Sequence, residues 1–240
     1  MSNYKDESYD VMEEDDKTEE QIQQKIRIGF IRKVYGIILF QLLISSIVIY
    51  FAVTSKHFQY FIASNPALIY LAIAGALLIE IPIICCQSVA QKVPLNYILL
   101  LGFTLCESYL LASTTITFEP LSVLMCAGIT LAIVIGLTLY AIFTKTDLTV
   151  CGGALVSLSI IMIILSIIGI FYSSLFYQTL VNSFGVFLFS LYLIYDTQLV
   201  IGKNKNFIST DNYIVAALMI YIDIVTLFIK ILLLFGKKKK

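Results

Sequence analysis

The chain has 240 residues, and its 16 basic and 16 acidic side chains leave no formal net charge. Apolar residues make up 59% and charged residues 13%, against about 45–50% and about 25% in soluble domains. So much apolar surface excludes a water-soluble globule and makes lipid the solvent, and a single histidine, His57, excludes a histidine-based metal or catalytic cluster.

Charge is concentrated at the ends. Nine of the 16 acidic residues fall between Asp6 and Glu20, and the lysines Lys237 to Lys240 close the sequence. Residues 1–33 read as an acidic, largely disordered cytosolic tail, with a short amphipathic helix near Gln21 to Phe30. A signal peptide is basic first and apolar next. This tail is acidic before it is apolar, so the first apolar segment is expected to remain as an anchor. Residues 34–236 read as a transmembrane helical bundle and 237–240 as a basic tail.

A helix needs about 20 apolar residues to cross the hydrocarbon core. Runs of that kind cover Tyr35–Val53, Ala67–Cys86, Leu95–Ile116, Leu121–Phe143, Gly153–Phe171, Leu180–Ile201 and Tyr213–Phe235. Spanning strands would be about 10 residues long and alternate in polarity; these runs are continuously apolar, so the fold class is an all-α membrane protein, a bundle of seven transmembrane helices. The Lys/Arg bias of the loops sets orientation. Arg27, Arg32 and Lys33 precede the first segment, and Lys92, Lys145, Lys203 and Lys205 follow the second, fourth and sixth, so the N-terminus is expected to face the cytosol. Seven full crossings then place Lys237 to Lys240 on the far side. Alternatively the last segment is re-entrant and both ends are cytosolic, although Tyr213–Phe235 contains no Pro or Gly to turn it.

Inside the apolar runs lie Glu80, Glu107, Asp196, Asp223 and Lys230. A charge at the bilayer centre costs at least about 2.5–3.5 kcal/mol, and such residues mark ion pathways, proton relays or counter-ions. Asp196 and Asp223 sit on consecutive, antiparallel segments joined by a short link, at similar depth. Two adjoining carboxylates cannot both ionise cheaply and share a proton, so protons and Ca²⁺ would compete for them. Thr197, Gln198, Thr226, backbone carbonyls or water would complete the oxygen shell a hard cation needs. Glu80, two residues before Pro82, and Glu107 are candidate lining of the same cavity. Lys230 is expected to snorkel toward the tail. Cys85, Cys86, Cys106, Cys126 and Cys151 show no metal spacing and read as small core residues.

Several stretches then combine. Phe30-Ile31-Arg32-Lys33-Val34-Tyr35 leads into Gln41-Leu42-Leu43, and Pro94-Leu95-Asn96-Tyr97 leads into Phe103 to Ser108. Tyr195-Asp196-Thr197-Gln198 is followed by Tyr213-Ile214, Ala216-Ala217-Leu218 and Tyr221-Ile222-Asp223-Ile224. In order and spacing this pattern, over roughly residues 27–235, resembles the transmembrane Bax inhibitor motif family, in its Lifeguard and Golgi anti-apoptotic branches. The resemblance implies a protein of the endoplasmic reticulum or Golgi membrane that lowers stored Ca²⁺ through a pH-sensitive leak and suppresses cell death. It implies that Asp196 and Asp223 are the proton-sensing pair and that Glu107 is the family's third-segment glutamate. Relatives often carry a latch arginine at the end of the second segment; here Gln87-Ser88-Val89-Ala90-Gln91-Lys92 has none, so either Lys92 substitutes or the latch is absent. Lysine lacks the guanidinium fork and would hold the pair less firmly. Lys237 and Lys238 resemble part of a dilysine retrieval signal, which requires a cytosolic C-terminus; the other reading of the lysine run is a polybasic lipid anchor.

The leading expectation is a Ca²⁺ leak channel with no tightly bound cofactor, whose partners are lipid, Ca²⁺ and protons. A non-conducting scaffold that binds cell-death regulatory proteins through the acidic tail is the alternative. Intramembrane aspartyl proteolysis is a third reading, but no glycine precedes Asp223 and an enzyme is not expected. Nucleic acid is not an expected partner.

Overall fold

Inside lipid, a single helix satisfies all of its own backbone N–H and C=O groups. The computed structural model, which describes residues 2–172, 174–202 and 208–239, with side chains from residue 18 onward except residue 20, is accordingly helical. The elements are α1 (Ser2–Thr54), α2 (Lys56–Ser64), α3 (Ala67–Cys85), α4 (Gln87–Ala90), α5 (Leu95–Thr115), α6 (Pro120–Phe143), α7 (Gly152–Phe171), α8 (Leu175–Ile201) and α9 (Tyr213–Phe235). Seven stretches are long and apolar enough to cross a membrane: Gln21–Thr54 within α1, then α3, α5, α6, Thr149–Phe171 including α7, α8 and α9. The bundle of seven helices expected from the apolar runs is the fold. Lys203, Lys205 and Lys240, used in reading the loop bias, lie outside the described residues.

Two boundaries differ from expectation. The helix entering the first span does not begin near Val34: α1 runs back without a break through the segment expected to be tail. Phe30, Val34 and Ile38 recur every fourth residue, share a face and are buried together, so packing carries the helix beyond its apolar stretch. Helix α8 begins at Leu175, where the Ser174 side chain caps it by accepting from the Tyr177 N–H.

Helix α9 is the central post. Half of its apolar window is buried, against 11% for that of α7 on the periphery. It packs against α8, α1, α6 and α5, and Ile214, Ala217, Leu218, Tyr221 and Leu227 are fully buried. Small residues bring helices close, as is usual where lipid removes the hydrophobic drive to pack. A Cβ added at Gly75 of α3 would lie 3.1 Å from Cys106 Sγ, and one at Gly102 of α5 3.3 Å from Ile79. The stem of Lys230 on α9 lies across Gly185 of α8, where an added Cβ would meet Lys230 Cδ at 2.9 Å.

The C-terminus of α8 is tied to α1. Gly202 caps it in the left-handed conformation, φ 68°, its N–H donating to Gln198 O. Against that turn the Arg27 guanidinium donates to the carbonyls of Leu199 (2.6 Å), Ile201 (3.2 Å) and Ile208 (2.6 Å). It thereby supplies donors and positive charge where a helix end lacks both.

Helix α9 is continuous over 23 residues, roughly 34 Å at 1.5 Å per residue. With no Pro or Gly to turn it, it is one unbroken helix long and apolar enough to cross, without the turn that the re-entrant alternative requires. Its start lies beside Lys33, whose Nζ sits 3.2 Å from the centroid of the Tyr213 ring. At its far end Glu119 N–H donates to Lys237 O (2.8 Å), Lys239 N–H donates to Thr117 O (2.9 Å), and Lys237 Nζ lies 3.0 Å from Glu119 Oε1. The Arg27 cluster and the lysine tail therefore occupy opposite faces of the bundle. A cytosolic N-terminus and a retrieval signal read from Lys237 and Lys238 in the cytosol exclude each other.

Two outcomes follow from this arrangement. Accessibility tags placed before Arg27 and after Lys239 are expected on opposite sides of sealed vesicles, and protection of both together would contradict the crossing of α9. Gly202→Val imposes a left-handed β-branched residue, costing about 1–2 kcal/mol, and displaces Arg27 atoms 2.6 Å from the new Cβ. A clear drop in thermal unfolding temperature in detergent is expected.

Candidate functional site

Asp196 lies near the end of α8 and Asp223 near the middle of α9. The two helices run antiparallel from the 202–212 connection and are extensively packed, which brings the carboxyls to one depth. Both residues are almost fully buried, at 3% and 4% exposure, and their carboxyls lie within interaction range of each other. Carboxylates only accept, so a hydrogen bond between the two requires one of them to be protonated. The remaining oxygens, Asp196 Oδ1 and Asp223 Oδ2, are buried without a partner. Among the described residues, the charged group acting on each aspartate is the other aspartate.

Several residues proposed for this site are placed elsewhere. Gln198 is committed to the α6–α7 connection: its Nε2 donates to Thr146 O and its Oε1 accepts from Leu148 N, both at 2.9 Å. Lys92 is exposed beyond the one-turn α4 and does not reach the pair as a latch. The chain breaks at Cys86 after α3, and the segment that follows is pinned to the start of α9. Gln91 donates to Asn212 Oδ1 (2.9 Å), and Asn96 donates to Ala90 O (2.9 Å) and to the Tyr213 hydroxyl (3.3 Å). Thr197, fully buried, and Thr226, half-buried, remain beside the aspartates in sequence. Among the described residues no third His, Cys, Asp or Glu joins the pair to make a metal cage. A cation entering here would have to displace the shared proton and draw its other oxygens from hydroxyls, carbonyls or water.

The glutamates form a second group on another face of α9. Residues two apart on a helix point about 200° away from each other, so Asp223 faces α8 while Tyr221 faces α1 and α5. The Tyr221 hydroxyl lies 2.7 Å from Ser45 Oγ, which lies 3.0 Å from Ser108 Oγ. One helical turn away, Gln41 Nε2 donates to Thr104 Oγ1 (2.9 Å). All five residues are buried. Glu107 is within electrostatic range of Glu80, across the α3–α5 contact, and of Tyr221. The expectation that Glu80 and Glu107 share a cavity with the aspartates is therefore replaced by two polar clusters on opposite faces of one helix. The serine and glutamine partners had a sequence signal, the i, i+4 pairs Gln41/Ser45 and Thr104/Ser108 in otherwise apolar runs, but no charge to single them out. Arg27 had only its place in the basic cluster.

These features define a class: a seven-helix membrane protein whose central helix buries a carboxyl against that of its neighbour. Residues 27–240 match the profile of the family described as Bax1-I, inhibitor of apoptosis-promoting Bax1. The chain belongs to this Bax inhibitor family. It is 34% identical over 219 residues to human protein lifeguard 3, covering 90% of this chain and 70% of that protein. It shows the same identity to its mouse counterpart, of which 71% is covered. It is 32% identical over 215 residues to the Golgi anti-apoptotic protein of vaccinia virus strain Lister, covering 90% of this chain and 88% of the viral one. The match begins at Arg27, so the acidic stretch before it lies outside the family profile.

Interhelical hydrogen bonds within membranes contribute about 0.6 kcal/mol on average. A double-mutant cycle of Tyr221→Phe and Ser45→Ala, read by reversible unfolding in mixed micelles, is expected to give a coupling of that order. Strict additivity would show that the hydroxyls do not act together.

Proposed function

We propose that this chain is a cation leak of an intracellular membrane, gated by protonation of Asp196 and Asp223, which lowers stored Ca²⁺ and so suppresses cell death. The close approach of two almost fully buried carboxyls carries this reading. With the proton in place the carboxyls join α8 to α9 and the path is closed. Loss of the proton leaves two like charges in a low-dielectric interior. At about 4 Å and an effective dielectric of 20 they repel by about 4 kcal/mol, well above the roughly 0.6 kcal/mol of a typical interhelical bond. Either the helices part or a cation enters between them. Two carboxylates offer at most four oxygens, whereas Ca²⁺ takes six to eight, so the site holds Ca²⁺ in transit and not as a resident ion.

The sign follows from the chemistry. Acid restores the shared proton and closes the path; rising pH opens it. With no latch from Lys92, the carboxyl pair is the contact on α8 that responds to a proton, beside the fixed contacts of Arg27 and Gln198. The N-terminal face, with Arg27, Arg32, Lys33, Lys92 and Lys145, is the cytosolic one in this reading. The names of the relatives, one of them a Golgi anti-apoptotic protein, support an endoplasmic reticulum or Golgi address and an anti-apoptotic role. The protein acts as a conduit and not as an enzyme.

In liposomes carrying the purified chain and a Ca²⁺ dye, uptake is expected to rise with pH across the neutral range. Asp196→Asn combined with Asp223→Asn is expected to abolish that dependence, since an amide pair keeps a hydrogen bond with no proton to lose. The same pH-dependent uptake in the double variant would rule out this gate.

A further inference from the structure

Helices α1 and α5 run parallel, as the two bonded pairs Gln41–Thr104 and Ser45–Ser108 share one offset of 63 residues. Toward the Arg27 face of those bonds the helices separate around a cavity of about 420 Å³. Its α1 wall repeats at helical spacing: Arg32 and Lys33, then Gly36 and Ile37, then Phe40 and Gln41. Gly36 makes the notch, since the position of its missing Cβ has nothing within 4 Å. Gln41 and Thr104 line its inner part. The Thr104 hydroxyl gives its proton to Leu100 O (2.7 Å), so it accepts from the Gln41 amide.

The two ends of this groove differ in chemistry. Arg32 and Lys33 stand at the mouth, aliphatic and aromatic side chains line the middle, and no acidic residue lines any part. Lys33 Nζ is held 3.2 Å from the Tyr213 ring centroid, a cation–π contact that fixes the charge at the mouth. Arg32 is exposed with its guanidinium fork available, a geometry suited to phosphate oxygens. The groove extends to Ile44, twelve residues beyond Arg32, or about 18 Å along the helix. That is close to one leaflet of a hydrocarbon core about 30 Å thick. A soluble anion would use the mouth alone and leave the apolar length empty, and a zwitterionic lipid would bring its own cation against the two already there.

We propose that this groove is a binding site for one anionic glycerophospholipid, its phosphate on Arg32 and Lys33 and one acyl chain along Gly36, Ile37 and Phe40. The site is separate from the aspartate pair and does not depend on the leak reading.

The test is native mass spectrometry of the full chain released from nanodiscs of equal phosphatidylglycerol and phosphatidylcholine. The wild-type protein is expected to retain phosphatidylglycerol over phosphatidylcholine by roughly thirtyfold, the scale of two interfacial cations. Arg32→Gln with Lys33→Gln is expected to bring the ratio near one, whereas Lys145→Gln leaves it unchanged. Gly36→Leu, which fills the notch without touching charge, is expected to reduce retention of both lipids several-fold. Soluble glycerol phosphate in excess is expected not to displace the lipid. Equal retention of the two lipids by the wild-type protein would overturn the proposal with no variant needed. So would a preference that survives the loss of both charges, undiminished retention in Gly36→Leu, or displacement by glycerol phosphate.

Discussion

Lipid offers no hydrogen bonds, so the polar groups this chain carries into the membrane must find partners within the protein, on their own helix or on another. That constraint selects α9 as the centre. It brings an aspartate for α8 on one face and a tyrosine for α1 and α5 on the other, and the small residues Ala216 and Ala217 let its neighbours approach closely. Peripheral helices such as α7 have few polar groups and little burial. The rank of a helix within the bundle thus follows the polar partners it must satisfy more closely than its hydropathy, since α7 is the most apolar span and the least buried.

The two polar clusters differ in what holds them. The Ser45–Ser108–Tyr221 group is made of neutral hydroxyls that serve as donors and acceptors at any pH. A bond between Asp196 and Asp223 exists only while a proton is present. One helix of the proposed leak therefore has a pH-independent attachment to α1 and α5 and a pH-dependent one to α8. In the proposed leak the first provides the fixed frame and the second the moving contact, with α8 as the element that shifts.

Much of this was legible in the sequence, and for a physical reason. In an apolar chain a charge is costly, so Asp196 and Asp223 stand out without any structure, and consecutive antiparallel helices place them side by side. The seven spans follow from length and hydropathy alone. What was not legible is tertiary. Gln198 sits next to Thr197 and two residues from Asp196, yet a helix turns it toward Thr146 and Leu148. Lys92 lies at the end of the second span, yet the break at Cys86 takes it away from the pair. Tyr221 was visible as part of a motif, but that it faces away from Asp223 depends on which helices surround α9. The extension of α1 was hidden because burial of Phe30 and the Arg27 contacts, not hydropathy, maintain the helix there.

The Arg27 contact also bears on where this protein can be cut. Hydropathy would trim the chain at about Val34, the start of its apolar run. Such a chain would keep all seven spans and both aspartates but lose the side chain that binds three carbonyls at the end of α8 and beyond it. The smallest unit that retains its own α8 terminus begins at or before Arg27, where the family match also begins. The segment that looks like a leader to the membrane domain is, in its last few residues, part of that domain's internal architecture.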